Sequence, residues 1–427
     1  MNRNSLLLVS ALVFVSNAPL SAQHLSAQRP DVLIVIADDV SESELNAVKP
    51  LPTLGRLQAE GIRITDCQGS PACSPARQGL HFGRWVGTDA GGCPPGNQPG
   101  APDLGALSIA KMMNAAGYRT ALFGKWHCGG SAITTEWQLA PHFHGFGTWR
   151  AGMPLNVQFC GGIDYWDWVR VDDGLVSISS VYNTTAIRNE ASSWWTTTPS
   201  PKFAVVAFQA PHGPFHVPPA SELPFPPPTG PTTKRQRFEL MLQSFDYALE
   251  DLLSVVDRER TIVLVVSDNG TDDQVTLFPG KAKFTTFDHG INVVCIWRGP
   301  GLLRGAKLPE LVTLSDTMAT LAELIGIQPP VPWPEDVRSQ SYAETLRSGA
   351  SSPRSWGYTD YSQTTGERDT AVIERRFKLR RLIDAQGART EELYDRVADP
   401  QETVNRVAVP DLAGELERLR REMISVN

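Results

Sequence analysis

The chain has 427 residues, of which 41% are hydrophobic and 20% are charged, and its formal net charge is -7. A chain of this length exceeds what one hydrophobic core usually supports, so we expect a large domain followed by a smaller one. The acidic balance, without a long block of one charge sign, argues against a nucleic-acid partner.

The first 22 residues have the pattern of a signal peptide. Arg3 precedes an apolar stretch at 6–15, and Leu20-Ser21-Ala22 offers a cleavage site. The apolar stretch is too short for a membrane-spanning helix, and no cysteine directly follows it to carry a lipid anchor. We therefore expect an exported protein, periplasmic or secreted, without a membrane span.

Strand and helix patterns alternate after this segment. Strands are predicted at 32–37, 118–123, 203–208 and 261–266. The first is an uninterrupted apolar run, which is typical of a strand buried on both faces. Amphipathic patterns predict helices at 52–61, 109–116 and 238–256. This alternation favours an α/β fold, in which helices sandwich a large, mostly parallel sheet. The proline-rich segment 214–233 is predicted to be a loop.

A smaller α+β subdomain is predicted at 335–427, after a helix at 316–325 and a linker at 329–334. The large catalytic domain would then comprise residues 23–334. Strands are predicted at 370–375 and 377–383, and a closing helix runs from Leu412 to Met423. We interpret the basic residues around the second strand as a solvated face: Arg375, Arg376, Lys378, Arg380 and Arg381.

Six cysteines fit an oxidising compartment, in which disulfides persist. They are Cys67, Cys73, Cys93, Cys128, Cys160 and Cys295. Their spacing does not define disulfide pairs, and each cysteine could equally be a small apolar core residue outside any disulfide.

Polar residues directly follow the predicted strands. They are Asp38, Asp39, Lys125, His127, His212, Asp268 and Asn269. Because ligands bind beyond the carboxyl ends of parallel strands, these residues can converge although they are distant in sequence. The carboxylate and amide oxygens among them suit calcium or magnesium rather than zinc.

The segment Cys-Ser-Pro-Ala-Arg at 73–77, continued by Leu80 and Gly83, resembles the maturation signal of the formylglycine sulfatases, in which the cysteine is oxidised to an aldehyde. Phe82 stands where a threonine is usual. Segments 117–127, 210–214 and 283–293 and the end of the chain also resemble sequences of this family.

The third of these segments departs from the family at Asp288 and His289, where a glutamate and a glycine are usual. Counting back from Gly290 selects Lys283, rather than Lys281, as the family's lysine. The resemblance covers nearly the whole chain after the signal peptide.

The resemblance implies an alkaline phosphatase/sulfatase-like fold and one bound calcium ion, with magnesium less favoured. It assigns the metal ligands to Asp38, Asp39, Cys73, Asp268 and Asn269. It assigns the catalytic roles to Cys73, Arg77, Lys125, His127, His212 and Lys283. In the related enzymes the hydrated aldehyde attacks sulfur, a histidine in the place of His127 helps to expel sulfate, and His212 or Lys283 would protonate the leaving group.

We therefore interpret the chain as a sulfatase that hydrolyses an O-sulfate ester, with a carbohydrate as the favoured substrate, after a maturing enzyme has converted Cys73. One alternative is a phosphonate monoester or phosphodiester hydrolase of the same superfamily. Another is a non-catalytic binder of sulfated glycans, if Cys73 remains a thiol. Trp85 and Trp126 flank the motifs and could narrow the pocket against a diester. Specificity would lie in loops 85–102, 128–170 and 214–233.

Overall fold

The computed structural model describes residues 29–85, 103–128, 137–158, 162–328, 333–362 and 366–426. The predicted signal peptide at 1–22, Cys93 and Cys160 therefore lie outside the described residues.

The described residues form fourteen strands. The first seven are β1 (Asp31–Ala37), β2 (Ile62–Gln68), β3 (Arg119–Lys125), β4 (Thr148–Met153), β5 (Trp168–Asp172), β6 (Leu175–Ser179) and β7 (Lys202–Ala207). The others are β8 (Thr261–Ser267), β9 (Cys295–Arg298), β10 (Ala306–Thr313), β11 (Trp356–Ser362), β12 (Arg368–Glu374), β13 (Phe377–Ile383) and β14 (Arg389–Asp395).

Eleven α-helices accompany these strands in the described segments. They are α1 (Glu44–Ala47), α2 (Pro52–Glu60), α3 (Cys73–Phe82), α4 (Ile109–Ala115), α5 (Ala140–Phe143), α6 (Asn183–Thr197), α7 (Lys234–Ser254), α8 (Asp288–Ile291), α9 (Thr317–Leu324), α10 (Ala343–Ser348) and α11 (Ala413–Ser425). Among the described residues, none of these helices is long and apolar enough to cross a membrane.

The main sheet has the strand order β10-β2-β9-β8-β1-β7-β3-β4-β5-β6. Its centre is parallel, because β1 pairs in parallel with both β7 and β8, and β3 pairs in parallel with β7 and β4. Antiparallel pairing enters through β9 on one side and through β5 and β6 on the other.

Alternate side chains of β1 explain why helices cover both faces of this sheet. Val32, Ile34 and Ile36 enter one hydrophobic cluster, whereas Leu33 and Val35 enter the other. The first cluster includes apolar residues of α3, α4 and α9, and the second includes residues of α2, α6 and α7. A strand that is apolar on both faces requires this three-layer arrangement.

The smaller sheet has the order β11-β12-β13-β14 and is antiparallel throughout. Leu416, Leu419 and Met423 of α11 pack against it. The predicted fold class is confirmed: a large, mostly parallel sheet between helices, followed by a small antiparallel C-terminal sheet. The proposed domain boundary at 334 stays a prediction.

The interpretation of the basic C-terminal residues as a solvated face is wrong for two of them. Lys378 is 0% exposed and Arg380 is 7% exposed. Arg380 Nη2 lies 2.7 Å from Asp369 Oδ2, and Lys378 Nζ lies 2.6 Å from Glu402 Oε1. Buried partners, which the sequence pattern alone does not display, draw these cations into the interior.

Candidate active site

The candidate site lies at the carboxyl edge of four neighbouring strands. β8, β1, β7 and β3 lie side by side and run parallel, so their carboxyl ends meet. The polar residues that follow or end these strands are Asp38, Asp39, Lys125, His127, His212, Asp268 and Asn269. Arg77 and Lys283 reach the same cluster from α3 and from the loop before α8.

Asp38 and Asp39 form the anionic centre of the site. Lys125 Nζ lies 2.5 Å from Asp38 Oδ2, and Lys283 Nζ lies 2.7 and 2.8 Å from the two oxygens of Asp39. Burial acts to raise the pKa of both carboxyls, but Lys125 and Arg77 outweigh it at Asp38, and Lys283 does so at Asp39. Both pKa values fall below the usual range, so both carboxylates are ionised at neutral pH.

Cys73 is buried beside this pair. Its Sγ lies 3.4 Å from Asp38 Oδ1, 3.7 Å from Asp39 Oδ1 and 3.2 Å from Lys283 Nζ. Burial and the charge of Asp38 raise the pKa of the thiol well above its ordinary value. The unmodified side chain is therefore a neutral thiol, which is a poor nucleophile.

Cys73 is also the first residue of α3, a helix that was not predicted from the sequence. Gly83 ends the helix in the left-handed conformation, with a φ of 67°. Proline near the start of a helix and glycine just past its end are a recognised signal, and Pro75 and Gly83 supply it here. Attention to that pair could have revealed the helix.

Arg77 lies one turn further along α3 and is fully buried. Its Nε lies 2.9 Å from Asp268 Oδ2, its Nη2 lies 3.2 Å from Asp38 Oδ2, and its Nη1 donates to the carbonyl of Lys125 at 2.9 Å. A planar guanidinium can hold several acceptors in fixed directions. Arg77 thus connects the ends of β8, β1 and β3.

The two candidate lysines of the loop before α8 point in different directions. Lys283 reaches Asp39 and Cys73, as described above. Lys281 Nζ instead donates to the carbonyls of Gln401 and Glu402, at 2.5 and 2.6 Å. The structure therefore places Lys283, and not Lys281, in the cluster.

The C-terminal sheet holds this loop in place. Thr286 donates from its backbone nitrogen and its hydroxyl to the carboxylate of Asp369, at 3.0 and 2.6 Å. Lys378 Nζ donates to the carbonyl of Thr286 at 2.8 Å, and the backbone nitrogen of Asp288 donates to Glu402 Oε2 at 2.9 Å. None of these C-terminal residues could be assigned this role from the sequence.

Two histidines border the cluster in neutral form. Burial, and then the nearby charge of Lys125, lower the pKa of His127 well below its usual value. Burial also lowers the pKa of His212, although the charge of Asp39 opposes this effect. His212 Nε2 lies 3.7 Å from Asp39 Oδ2, and the hydroxyl of Tyr165 donates to the His212 carbonyl at 2.7 Å.

Backbone strain is concentrated at this site. Asp39, His127 and Phe284 have φ angles of 69°, 51° and 70°, in the left-handed region that side chains disfavour. Gly124, just before Lys125, has a φ of 83°, and a Cβ there would lie 2.1 Å from the Ala207 carbonyl oxygen. Such conformations persist only where surrounding contacts impose them, as they often do at functional sites.

The oxygen donors of the site fit a hard cation. Ligand atoms of Asp38, Asp39, Cys73 and His212 lie within 4.8 Å of one another. The amide nitrogen of Asn269 donates to Asp39 Oδ1 at 2.7 Å, whereas its buried Oδ1 has no hydrogen-bond partner among the described residues. A buried oxygen without a donor, next to two carboxylates, is chemically suited to bind a metal ion.

The two tryptophans that we expected to narrow the pocket lie elsewhere. Trp126 is 3% exposed and stacks on His144, with 5.7 Å between ring centroids. Trp85 packs on Trp356 of the C-terminal sheet at 4.8 Å. Neither side chain supplies a steric argument against a diester substrate.

Comparison with known proteins identifies the family. A family model described as Sulfatase matches residues 30–327, which is more than half of the chain. The chain belongs to the sulfatase family. It is therefore a sulfuric ester hydrolase, and the family is generally metal-dependent.

Curated relatives of this sulfatase include arylsulfatase A of Bos taurus, which is 28% identical over 73% of this chain and 67% of its own length. N-acetylgalactosamine-6-O-sulfatase of Bacteroides thetaiotaomicron is 24% identical over 92% of this chain and 93% of its own length.

Similar solved structures include Ps i-CgsB in complex with k-i-k-neocarrahexaose, with a TM-score of 0.77 and 20% identity over 93% of this chain and 92% of that one. They also include BT4656 in complex with its substrate D-glucosamine-2-N,6-O-disulfate, with a TM-score of 0.72 and 17% identity over 93% of this chain and 97% of that one. At these identities the structural likeness supports the fold of the sulfatase.

Proposed function

We propose that this sulfatase hydrolyses an O-sulfate ester on a carbohydrate, using a formylglycine made from Cys73 and one calcium ion. The observation that carries the proposal is the position of Cys73, buried at the start of α3 between two ionised aspartates and Lys283. The carbohydrate is supported by relatives that act on N-acetylgalactosamine 6-O-sulfate and on a disulfated glucosamine.

Asp38, Asp39, Asp268 and Asn269, with the modified side chain at position 73, would hold the calcium ion. Calcium accepts six to eight oxygen ligands in flexible geometry, which suits a set of carboxylates and an amide better than magnesium's stricter octahedron. The bound ion would supply positive charge next to the sulfate oxygens.

The charge balance of the site supports an anionic substrate. The carboxylates of Asp38, Asp39 and Asp268 face three cations: Arg77, Lys125 and Lys283. A buried, balanced ion cluster contributes little net stability, because desolvation offsets the Coulomb attraction. A divalent cation would leave the cluster net positive, as the attack on a negatively charged sulfate ester requires.

The side chains around the cluster can take up the remaining roles. Lys125 and Lys283 would hold sulfate oxygens and offset the charge that develops on them. The neutral His127 can accept a proton from the modified side chain when sulfate is expelled. Lys283, or His212 once it has taken up a proton, would protonate the departing sugar oxygen. Arg77 keeps the carboxylates in position.

We propose also that the chain is exported, periplasmic or secreted, and that a maturing enzyme acts on Cys73. The predicted signal peptide at 1–22 favours this location. The four cysteines in the described part of the chain are free and buried, so they add no support for an oxidising compartment. The peptide that spans Cys73 from active protein should carry an aldehyde and resist thiol alkylation. A fully alkylatable Cys73 in a preparation with normal turnover would contradict the mechanism.

The reaction class is tested by comparing substrates on one preparation. We expect release of inorganic sulfate from sulfated saccharides and aryl sulfates with kcat/KM well above that for matched phosphodiesters and phosphonate monoesters, and Cys73→Ala provides the blank. Faster hydrolysis of the phosphorus esters would favour a phosphonate monoester or phosphodiester hydrolase. Saccharide binding without turnover of any ester would favour a non-catalytic glycan binder.

The metal is tested by removing a ligand. Asp39→Asn should reduce bound calcium and sulfatase activity together, because losing one anionic oxygen weakens the whole ligand set. Metal content by elemental analysis and sulfate release should be measured on the same sample, with far-ultraviolet circular dichroism to verify folding. Full activity after exhaustive chelation would refute the assignment.

A further inference from the structure

An open cavity extends from the candidate active site along the start of α7. It has a volume of about 450 Å³, and His212 forms part of its wall. The neighbouring residues Pro214 and Phe215 add an apolar surface, and Lys234 and Arg237 add two cations. The rest of a substrate whose reacting group lies next to His212 would therefore enter a space lined by positive charges.

Within the described residues, these two cations lack acidic partners. Most arginines near them are paired, as Arg235 is with Glu44 at 2.7 Å. By contrast, Lys234 and Arg237 have no carboxylate within 4.0 Å among the described residues, and each has one neutral hydrogen-bond acceptor there. Lys234 Nζ donates to Gln274 Oε1 at 2.5 Å, and Arg237 Nε donates to Thr232 Oγ1 at 3.0 Å. The terminal nitrogens of Arg237 thus have no acceptor in the described structure.

The other polar residues that line the cavity do not neutralise the charges of Lys234 and Arg237. Asp272 is the one acidic residue that lines the cavity in the described part of the chain. Its Oδ1 accepts a hydrogen bond from the backbone nitrogen of Gln274 at 2.8 Å. Gln158 and Gln274 are neutral. Two cations against one carboxylate leave the cavity net positive at neutral pH, even with His212 uncharged.

The geometry points to a second anion subsite, formed by Lys234 and Arg237, next to the group that is hydrolysed. This inference rests on the proposed function and narrows its substrate class. The substrate would be a saccharide that carries another sulfate or a carboxylate besides the scissile sulfate. Guanidinium and ammonium groups bind either anion through charge-assisted hydrogen bonds, and Arg237 can bind both oxygens of a planar carboxylate.

Comparing the kinetics of several substrates in two variants tests this subsite. We would measure kcat and KM of wild type, Lys234→Gln and Arg237→Gln with an aryl monosulfate, a monosulfated hexosamine, the corresponding disulfated hexosamine and a monosulfated disaccharide that contains a uronic acid. Loss of one charge-assisted contact should lower kcat/KM for a dianionic saccharide about tenfold or more, mainly through KM. The decrease in kcat/KM should be several-fold smaller for the aryl monosulfate and the monosulfated hexosamine.

Lys307→Gln is the matched control, because it removes one exposed positive charge on β10, at the far edge of the sheet. It should leave the ranking of substrates unchanged. The disulfated hexosamine and the uronic acid saccharide distinguish a sulfate subsite from a carboxylate subsite. Equal losses of kcat/KM for monoanionic and dianionic substrates in the Arg237 variant would overturn the inference. So would a wild-type enzyme whose kcat/KM shows no preference for either dianionic saccharide.

A binding measurement separates failure of this inference from failure of the proposed reaction. Calorimetry with Cys73→Ser protein should give a dissociation constant for the disulfated hexosamine or the uronic acid saccharide that rises about tenfold when Arg237→Gln is added. An unchanged dissociation constant for both would overturn the subsite even if the enzyme is an active sulfatase. Loss of all ester hydrolysis in wild type, with the binding difference retained, would count against the reaction alone.

Discussion

At the scale of single residues, the two neighbouring lysines of the loop before α8 show how position decides function. Lys283 is 5% exposed and contacts Asp39 and Cys73. Lys281 contacts main-chain carbonyls of the C-terminal region. Their residue type and separation do not distinguish them, and the selection of Lys283 from the sequence depended on alignment to a family motif.

We therefore predict that Lys283→Ala lowers kcat by roughly 10² to 10⁴, the usual range for a positioned catalytic group. Lys281→Ala is the matched control and should cost less than about tenfold, because its ammonium lies away from the reacting atoms. Steady-state kinetics with an aryl sulfate would measure both. Equal losses at the two positions would mean that the loop is positioned differently in the working enzyme.

His81, on α3, is a buried residue that makes folding depend on pH. It is 1% exposed, its two ring nitrogens have no hydrogen-bond partner within the described residues, and the ring of Trp126 lies 5.0 Å away. Burial, and then the charge of Arg77, lower its pKa to about 3. The folded protein therefore holds the neutral imidazole in an apolar environment.

Because the pKa of His81 is lower in the folded state, the unfolded chain binds the proton more readily below pH 6.5. The stabilising contribution is complete above that pH and is lost as the pH falls toward 3. Between pH 6.5 and pH 5 this residue should cost about 2 kcal/mol of unfolding free energy. His81→Leu should remove that part of the pH dependence of denaturant unfolding. Parallel pH profiles for variant and wild type would contradict the prediction.

At the scale of elements, the loop that carries Lys283 is fixed by the C-terminal sheet. Asp369 of β12 accepts two hydrogen bonds from Thr286 and also pairs with Arg380 of β13. Asp360 of β11 is a similar carboxylate that pairs with Arg368, but among the described residues it makes no hydrogen bond to the loop. The smaller sheet is thus a support for the active site as well as a neighbour.

Asp369→Asn should lower kcat several-fold to tenfold with a smaller change in KM, because Lys283 would lose its fixed position relative to the reacting group. Asp360→Asn is the matched control, since it also weakens a buried carboxylate-arginine pair of the same sheet. It should affect thermal stability more than kcat. A loss of kcat as large in the control would indicate a general weakening of the C-terminal sheet.

Strands β12 and β13 of the smaller sheet could be predicted from the sequence, as could the buried central strands of the main sheet. The central runs, such as that of β1, are apolar on both faces, so the pattern alone reveals them. β6 could not be found in this way, because four of its five residues are exposed. Likewise, the polar residues at strand ends could be predicted to converge, since topology brings parallel strand ends together.

The positioning residues could not be predicted, because their partners are remote in sequence. Asp369 lies 83 residues from Thr286, and Lys378 lies 92 residues from it. In the sequence, Lys378 and Arg380 alternate with apolar residues as solvated cations of an amphipathic strand would. Only the burial of that polar face against the Lys283 loop reveals their role.

At the scale of the whole molecule, buried polar contacts join the C-terminal part to the main domain. Within the C-terminal part, Lys378 of β13 and Glu402 are 0% and 1% exposed at their side chains and lie 2.6 Å apart. Lys378 also donates to the carbonyl of Thr286 in the loop of the main domain, and Arg396 Nη2 lies 2.6 Å from Asp66 of β2. The Arg396–Asp66 pair crosses the contact, so either part folding alone would leave one of these charges without its partner.

We therefore expect the two parts to unfold in one transition, so that tryptophan fluorescence and sulfatase activity should be lost at the same temperature. Glu402→Gln leaves the Lys378 ammonium buried without its counter-charge, which should cost about 3–5 kcal/mol and lower that common transition by several degrees. Arg347→Gln breaks the exposed pair with Glu323 and should change the transition temperature little. If the variant instead showed an early fluorescence change with activity retained, the C-terminal sheet would be an independently folding unit, and the main domain would hold Lys283 in place without it.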